Sequence, residues 1–362
     1  MAYWITKING FQHQIEKASG FIANRDATEA AAKVRFQVLN YFKYNGREES
    51  NDALGARLDG IMSGVQEGDC VVIQFPMWQN DPRFERRFFN KLAAKKNVKK
   101  ILWVWDVLPW LHDASDRDFS KDYAFQVMNR CELIISPNRK MSQRLRDEGK
   151  VTVPIIDIGL WDYQISGELT EKKFEKKLFF VGTLDKTDFR SYEAETPFFL
   201  IGNPSILSDE VKEQQNLILM GEMKNNHIPQ LFDGGFGVIS YSQPKTDKLR
   251  FPGAEKYGHY NNPLKLSLYL GAGLPVIVDS NSAHAALVRD KNLGIVLDDL
   301  NSIDQILDEL TEKEYKKILE NVANYSSAIR SGFFTQKVLI NALDFLNLGN
   351  TELLSKGFEE SE

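Results

Sequence analysis

Cysteine is nearly absent from this 362-residue chain: only Cys70 and Cys131 occur, which rules out a disulfide framework, and neither has the spacing of a zinc site. Each stands beside an apolar run that reads as a buried strand, which fits reduced core thiols and a cytoplasmic setting. No stretch approaches the length of a membrane span. Met1 to Lys7 lacks the apolar core of a signal peptide and reads as an immediate first strand. A basic excess is also missing, since 45 Lys and Arg face 50 Asp and Glu for a net charge of −5. Nucleic acid is therefore not an expected partner. No Gly-x-Gly-x-x-Gly follows the first strand, which disfavours a dinucleotide-dependent epimerase or dehydrogenase. No Asp-x-Asp pair sits clearly after a strand, because Asp116-Arg117-Asp118 has the spacing but lies among other charges in a loop. No short-period repeat is present.

What is there alternates. Tyr3 to Ile8 reads as a strand, followed by a polar loop from Asn9 to Asn24. Asp26 with Glu29 has a capping-box pattern, and Ala27, Ala31, Val34, Val38 and Phe42 recur near helical spacing. Cys70 to Phe75, Ile101 to Trp105, Glu132 to Ser136 and Val151 to Ile158 are further strands. Asp81-Pro82 opens a helix whose Phe84, Phe88 and Leu92 share a face, and Ser136-Pro137 has the signature of another helix start, ending near Gly149. Near-continuous apolar strands in βαβα order imply a parallel sheet covered on both faces.

The length predicts two domains. The charged run Gly167 to Lys177 reads either as the interdomain connection or as an ordinary solvated helix. The pattern then restarts, with strand candidates at Leu178 to Val181, Phe198 to Ile201, Asn216 to Met220, Phe236 to Ser240, Pro275 to Val278 and Gly294 to Leu297. Helices follow at Ile303 to Leu310, Lys313 to Tyr325 and Phe333 to Leu346. The fold class is α/β, two Rossmann-like domains facing a central cleft: 1–160 on the acceptor side, 161–340 binding the nucleotide, and 341–362 a C-terminal helix and acidic tail.

Asn262-Pro263-Leu264-Lys265, leading through Leu266-Ser267-Leu268-Tyr269-Leu270-Gly271-Ala272-Gly273 into the apolar Leu274 to Val278, is the most informative stretch. With Asn262 as N-cap and Pro263 as first helical residue, Lys265 falls in the opening turn, where free N–H groups and the helix dipole already favour an anion. A lysine there opposes the dipole, unless a phosphate neutralises both. The other reading is a buried helix and strand with Lys265 solvated. Gly182 after the strand at Leu178 lets a ligand approach the backbone, and Arg190 offers a planar fork for a diphosphate. Tyr241, directly after another strand, has a ring able to stack on a base. The long Pro244 to Asn262 run leads into Lys265.

Tyr257 to Lys265 together with Leu266 to Val278 resembles the bacterial glucosyltransferases that extend N-acetylglucosamine on serine-rich-repeat adhesins, a pattern shared by related galactofuranosyltransferases. Gly10 with Lys17-Ala18-Ser19, Gln74-Phe75-Pro76, and Gly182-Thr183-Leu184 with Arg190 are looser echoes. The resemblance implies a GT-B fold, a homo-oligomer (dimer or tetramer), and a UDP-sugar held mainly by the second domain. It also implies Lys265 and Arg190 at the diphosphate, Tyr241 at the nucleoside, Asn261 or Asn262 at the ribose or sugar, and Lys17 to Ser19 reaching across the cleft. Where such enzymes carry a His-Asp pair after the third strand, this chain has Trp105-Asp106, which leaves Asp106 as the base candidate. No cofactor and no metal are expected, only UDP-sugar as donor, with glucose favoured over galactofuranose or galactose. The acceptor is a saccharide or glycoprotein, and peripheral contact with a membrane stays open. A non-catalytic sugar- or nucleotide-binding partner subunit is the reading of a different class.

Overall fold

The computed structural model describes residues 1–10, 19–43, 45–79, 81–111, 121–184, 187–240 and 253–355. The chain divides into two compact units, one of Met1–Trp161 with Gly332–Glu362 and one of Asp162–Ser331. The second unit thus ends at Ser331, and helix Phe333–Leu348 counts with the first, whereas the sequence reading carried the second domain to 340 and set 341–362 apart. Gly332, in the left-handed region at φ 80°, separates that helix from Glu312–Ser331. Phe333–Leu348 packs on the first unit's own helix Ser19–Lys33.

The first unit is built on a parallel six-stranded sheet of order β2-β1-β3-β4-β5-β6. The strands are β1 (Tyr3–Asn9), β2 (Gln37–Phe42), β3 (Cys70–Phe75), β4 (Lys99–Val104), β5 (Leu133–Ser136) and β6 (Ile155–Asp157). Every residue of β3 and of β5 is buried, as expected where helices cover both faces. Helix Pro82–Ala94 buries Phe84, Phe88, Phe89 and Leu92, and Asp81 caps it by accepting from the Arg83 amide. Burial pushes the Cys70 and Cys131 thiols up to about 12, so neither is a reactive thiolate.

Three expectations for this unit are corrected. Helix Ser19–Lys33 occupies what read as the end of a loop, so Asp26 lies inside it, buried and paired with Arg25 at 2.7 Å, and caps nothing. That helix stops at Lys33, Arg35 turns left-handed at φ 68°, and β2 begins at Gln37. Val38 and Phe42 are therefore strand residues. The helix expected from Ser136-Pro137 starts instead at Arg139, with Asn138 as N-cap accepting from the Met141 amide.

The second unit has a parallel sheet of order β12-β11-β10-β7-β8-β9. Its strands are β7 (Lys173–Val181), β8 (Phe198–Ile201), β9 (Leu217–Gly221), β10 (Gly234–Ile239), β11 (Val276–Asp279) and β12 (Gly294–Leu297). The charged run Gly167 to Lys177 lies inside the second unit and forms no helix: from Lys173 it is the partly exposed first half of β7, which becomes fully buried from Leu178. The core gathers Phe180, Phe189, Phe198, Phe236 and Tyr315. No helix among the described residues is long and apolar enough to cross a membrane.

Candidate functional site

The order of the second sheet changes direction between β7 and β10. From β7 the chain moves outward to β8 and β9, then returns to lay β10, β11 and β12 on the other side. In an open parallel sheet the connections beyond the carboxyl ends of such a strand pair diverge and leave a crevice, the usual ligand position. Val181-Gly182 closes β7 there, and Ile239-Ser240 closes β10.

Lys265 enters this region as the second residue of helix Leu264–Gly271. Pro263, extended at φ −69° and ψ 129°, takes the N-cap place, which corrects the assignment of that role to Asn262. Proline has no side-chain acceptor, so the N-cap residue itself contributes no capping bond. The Lys265 ammonium stands 3.6 Å from the centroid of the buried Phe180 ring, a cation–π contact that fixes its direction over the end of β7. A Cβ placed on Gly182 would lie 4.0 Å from Nζ, and residue 182 has φ +131°, which a side chain rarely tolerates. The glycine backbone and the ammonium therefore come close to one another at the helix start.

The position of Lys265 is set one turn further along its helix. Tyr269 is wholly buried; its hydroxyl accepts from the Val181 amide at 2.9 Å and donates to the Phe179 carbonyl at 3.2 Å. The β7–β10 ladder reaches Phe179 opposite Gly237, and the tyrosine hydroxyl serves the backbone of β7 beyond it. The ring fits only because residue 237 has no side chain: a Cβ there would come within 2.3 Å of Tyr269 Cγ. Behind the helix, Ser326 donates to the Gly271 carbonyl at 2.7 Å. The sequence reading missed this Tyr269–Gly237 pairing; a glycine inside an apolar strand was the available signal.

Beside this site a cavity of about 260 Å³ is walled by the ends of β10, β11 and β12 and by the turn after β7. Asp188, Asp279, Asp298 and Asp299 line it together with Ser240, Asn281 and Asn301, and its described lining residues include no lysine or arginine. Thr187 Oγ1 donates to the Ser240 carbonyl at 3.2 Å and joins the β7 turn to β10. So many acceptors suit a ligand rich in hydroxyl donors, whereas a phosphate would be repelled.

The other expected site residues are distributed as follows. Arg190 is exposed on a 3₁₀ turn, and its Nε donates to Asp188 at 3.1 Å, a pairing that raises its pKa; the structure does not bring it onto Lys265 as it does Gly182. Asn262 is buried and Asn261 half-buried, both directly before the Lys265 helix, and Asn261 Oδ1 is shielded from solvent with no hydrogen-bond partner among the described residues. Ser19 opens helix Ser19–Lys33 and is exposed. Asp106 follows β4 in the first unit, half-buried. Its neighbour Trp105 donates to Gln74 Oε1 at 3.0 Å and packs on Trp161 at 4.3 Å between ring centroids. Lys17, Tyr241 and Asp116-Arg117-Asp118 lie outside the described residues. No group of three or more His, Cys, Asp and Glu that would hold a metal ion occurs among the described residues.

Comparison with known proteins covers both units. Residues 2–160 match the family described as "Glucosyltransferase 3-like, N-terminal domain", and residues 178–342 match "Glucosyltransferase 3-like, C-terminal domain". Glucosyltransferase 3 of Streptococcus gordonii is 30% identical over 342 residues, spanning 94% of this chain and 97% of that protein. Beta-1,6-galactofuranosyltransferase WbbI of Escherichia coli is 25% identical over 341 residues, 91% and 95% of the two chains. The fold is also that of Anabaena HepE, solved in complex with UDP-glucose, at a TM-score of 0.58 and 11% identity over 94% of this chain and 99% of that one.

Proposed function

This chain belongs to the glucosyltransferase 3-like family, and from that premise we propose that its second unit holds the diphosphate of a UDP-sugar at Gly182 and Lys265 and delivers glucose from it. The protein is a glycosyltransferase of the GT-B fold, using a UDP-sugar donor and a saccharide or glycoprotein acceptor. The observation that carries the reading is the Lys265 ammonium, held over Phe180 at a helix start and facing a glycine backbone at the crossover of a parallel sheet. As the bond from the sugar to the diphosphate breaks, negative charge grows on the departing oxygens, and a fixed cation beside converging amides stabilises that charge. The acid-rich cavity next to it supports a place for ribose and base, with Asn261 and Asn262 toward the ribose or sugar. Arg190 joins the diphosphate in this reading by exchanging Asp188 for it.

Glucose is favoured because identity to the streptococcal glucosyltransferase exceeds that to the galactofuranosyltransferase. The leaving group is met by lysine and amides, and the reaction needs no metal. Release of UDP from a panel of UDP-sugars, with and without acceptor, tests both statements. UDP-glucose is expected to turn over fastest and at an unchanged rate in EDTA. Turnover abolished by EDTA and restored by magnesium would overturn the metal-free account, and preference for another sugar would overturn the donor.

Asp106 is proposed as the base that takes the proton of the acceptor hydroxyl. It stands after the third-from-edge strand β4, where the Trp105–Gln74 bond and the Trp105–Trp161 contact hold the backbone. A general base of this kind accelerates transfer by roughly 10²- to 10⁴-fold. Asp106→Asn is therefore expected to lose transfer on that scale while binding UDP as before, and full turnover in the variant would withdraw the assignment.

A further inference from the structure

The first sheet has a crossover of its own, between β1 and β3, and the residues beyond the end of β3 are held in a way nothing above uses. Five described non-glycine residues have positive φ, namely Arg35, Trp78, Asn97, Lys150 and Asn292. Four of them lie within three residues or so after a helix ends, at Lys33, Ala94, Asp147 and Asp290, where a left-handed residue is a common way to terminate. Trp78 alone follows a strand, and a bulky aromatic at φ 54° is the least comfortable of the five. Such strain persists only where surrounding structure over-determines it, and it concentrates at binding sites.

Over-determination is visible on both sides of Trp78. The Met77 amide donates to Glu85 Oε2 at 3.0 Å, and the wholly buried Tyr41 donates its hydroxyl to the Met77 carbonyl at 3.2 Å. Gln79 Nε2 donates to the Phe42 carbonyl at 3.1 Å. The first two bonds hold the backbone before Trp78 and the third anchors the side chain after it, leaving the indole half-buried beyond the sheet's carboxyl edge. Its Nε1 is shielded from solvent and has no acceptor among the described residues. A Cβ on Gly20 would stand 3.5 Å from Nε1, so the glycine keeps one atom's width clear beside that N–H. A buried donor without a partner is an uncommon deficit, of the kind a ligand oxygen makes good.

We propose that Trp78 is the platform on which the acceptor saccharide packs, its ring against an apolar sugar face and its N–H toward a ligand oxygen beside Gly20. This rests on the transferase reading. An indole presents a large flat surface at small entropic cost and one polar handle, which matches a sugar ring with alternating apolar and hydroxyl faces.

Trp78→Ala and Trp78→Gly are compared with the unaltered enzyme, using a serine peptide carrying N-acetylglucosamine as acceptor. Glycine relieves the left-handed backbone, so Trp78→Gly keeps the fold while removing the ring. Acceptor KM is expected to rise about tenfold or more in both variants, the scale of one lost aromatic contact with its hydrogen bond. UDP affinity and acceptor-free UDP release should stay unchanged, and Trp78→Phe should recover part of the KM. Unchanged acceptor KM in Trp78→Gly would overturn the proposal, as would a parallel loss of UDP affinity. Equal calorimetric binding of the glycopeptide to the unaltered enzyme and Trp78→Gly would overturn it independently of turnover. Failure of the unaltered enzyme to release UDP from any UDP-sugar would instead strike the donor reading.

Discussion

Lys265→Ala is expected to weaken UDP binding by roughly 10- to 150-fold, the equivalent of about 1.5–3 kcal/mol for a hydrogen bond to a charged group. The effect on folding should be small. Removing a cation from a helix N-terminus relieves about 0.3–1 kcal/mol of dipole repulsion, and losing the contact over Phe180 costs a similar amount. Thermal stability should therefore barely move while calorimetric UDP affinity collapses, a combination that a merely structural lysine would not produce. Turnover falls as well, because the charge acts on the departing diphosphate as it forms. Full UDP affinity in the variant would remove Lys265 from the site.

Gly237→Ala carries the second large effect, though residue 237 is buried in β10. The added methyl would meet Tyr269 at Cγ, Cδ1 and Cδ2, all within 2.6 Å, and a ring packed against Phe232 has no flexible end to swing aside. Overpacking of this kind costs about 1–3 kcal/mol. Displacing the ring also costs the Val181 amide its acceptor, a further ~1–3 kcal/mol if no other group reaches it. Because Tyr269 lies one turn from Lys265, the same substitution should weaken UDP binding from a distance. Denaturant unfolding and calorimetry on one preparation check both halves. A stable Gly237→Ala protein with normal UDP affinity would show that Tyr269 does not position the lysine.

The legibility of this chain follows the range of the interactions involved. Runs such as Cys70 to Phe75 and Phe198 to Ile201 announced themselves because parallel strands buried along all or most of their length need no alternation to be recognised. β2 was hidden because Val34, Val38 and Phe42 happen to fall four residues apart; the break is the left-handed Arg35, a conformation that residue type does not advertise. The Asp26 and Glu29 pattern misled for a related reason. A buried carboxylate bound by Arg25 inside a helix has the same local sequence as a cap. The charged start of β7 concealed a strand whose first half is only partly buried.

At the site, Gly182 and Lys265 were readable because strand end and helix start each carry a short local signature. Their meeting over Phe180 was not, since it depends on β7 and β10 lying side by side, with Leu178 in register with Phe236 far along the chain. The acidic cavity escaped notice because Asp188 follows β7, Asp279 ends β11 and Asp298 follows β12, and they form a wall only once the sheet is assembled. Arg190 shows the opposite limit: its residue type suited a diphosphate, but its partner in the structure is the neighbouring Asp188.

On the proposed reading, the Lys265 ammonium grips a diphosphate at the β7–β10 crossover. A crystal of this protein soaked with UDP tests it most directly. The account predicts a phosphate oxygen about 2.7–2.9 Å from Lys265 Nζ, with the diphosphate lying against the Gly182 backbone. A bound uridine nucleotide whose phosphates lie elsewhere, with Lys265 still turned onto Phe180 and remote from them, would contradict it.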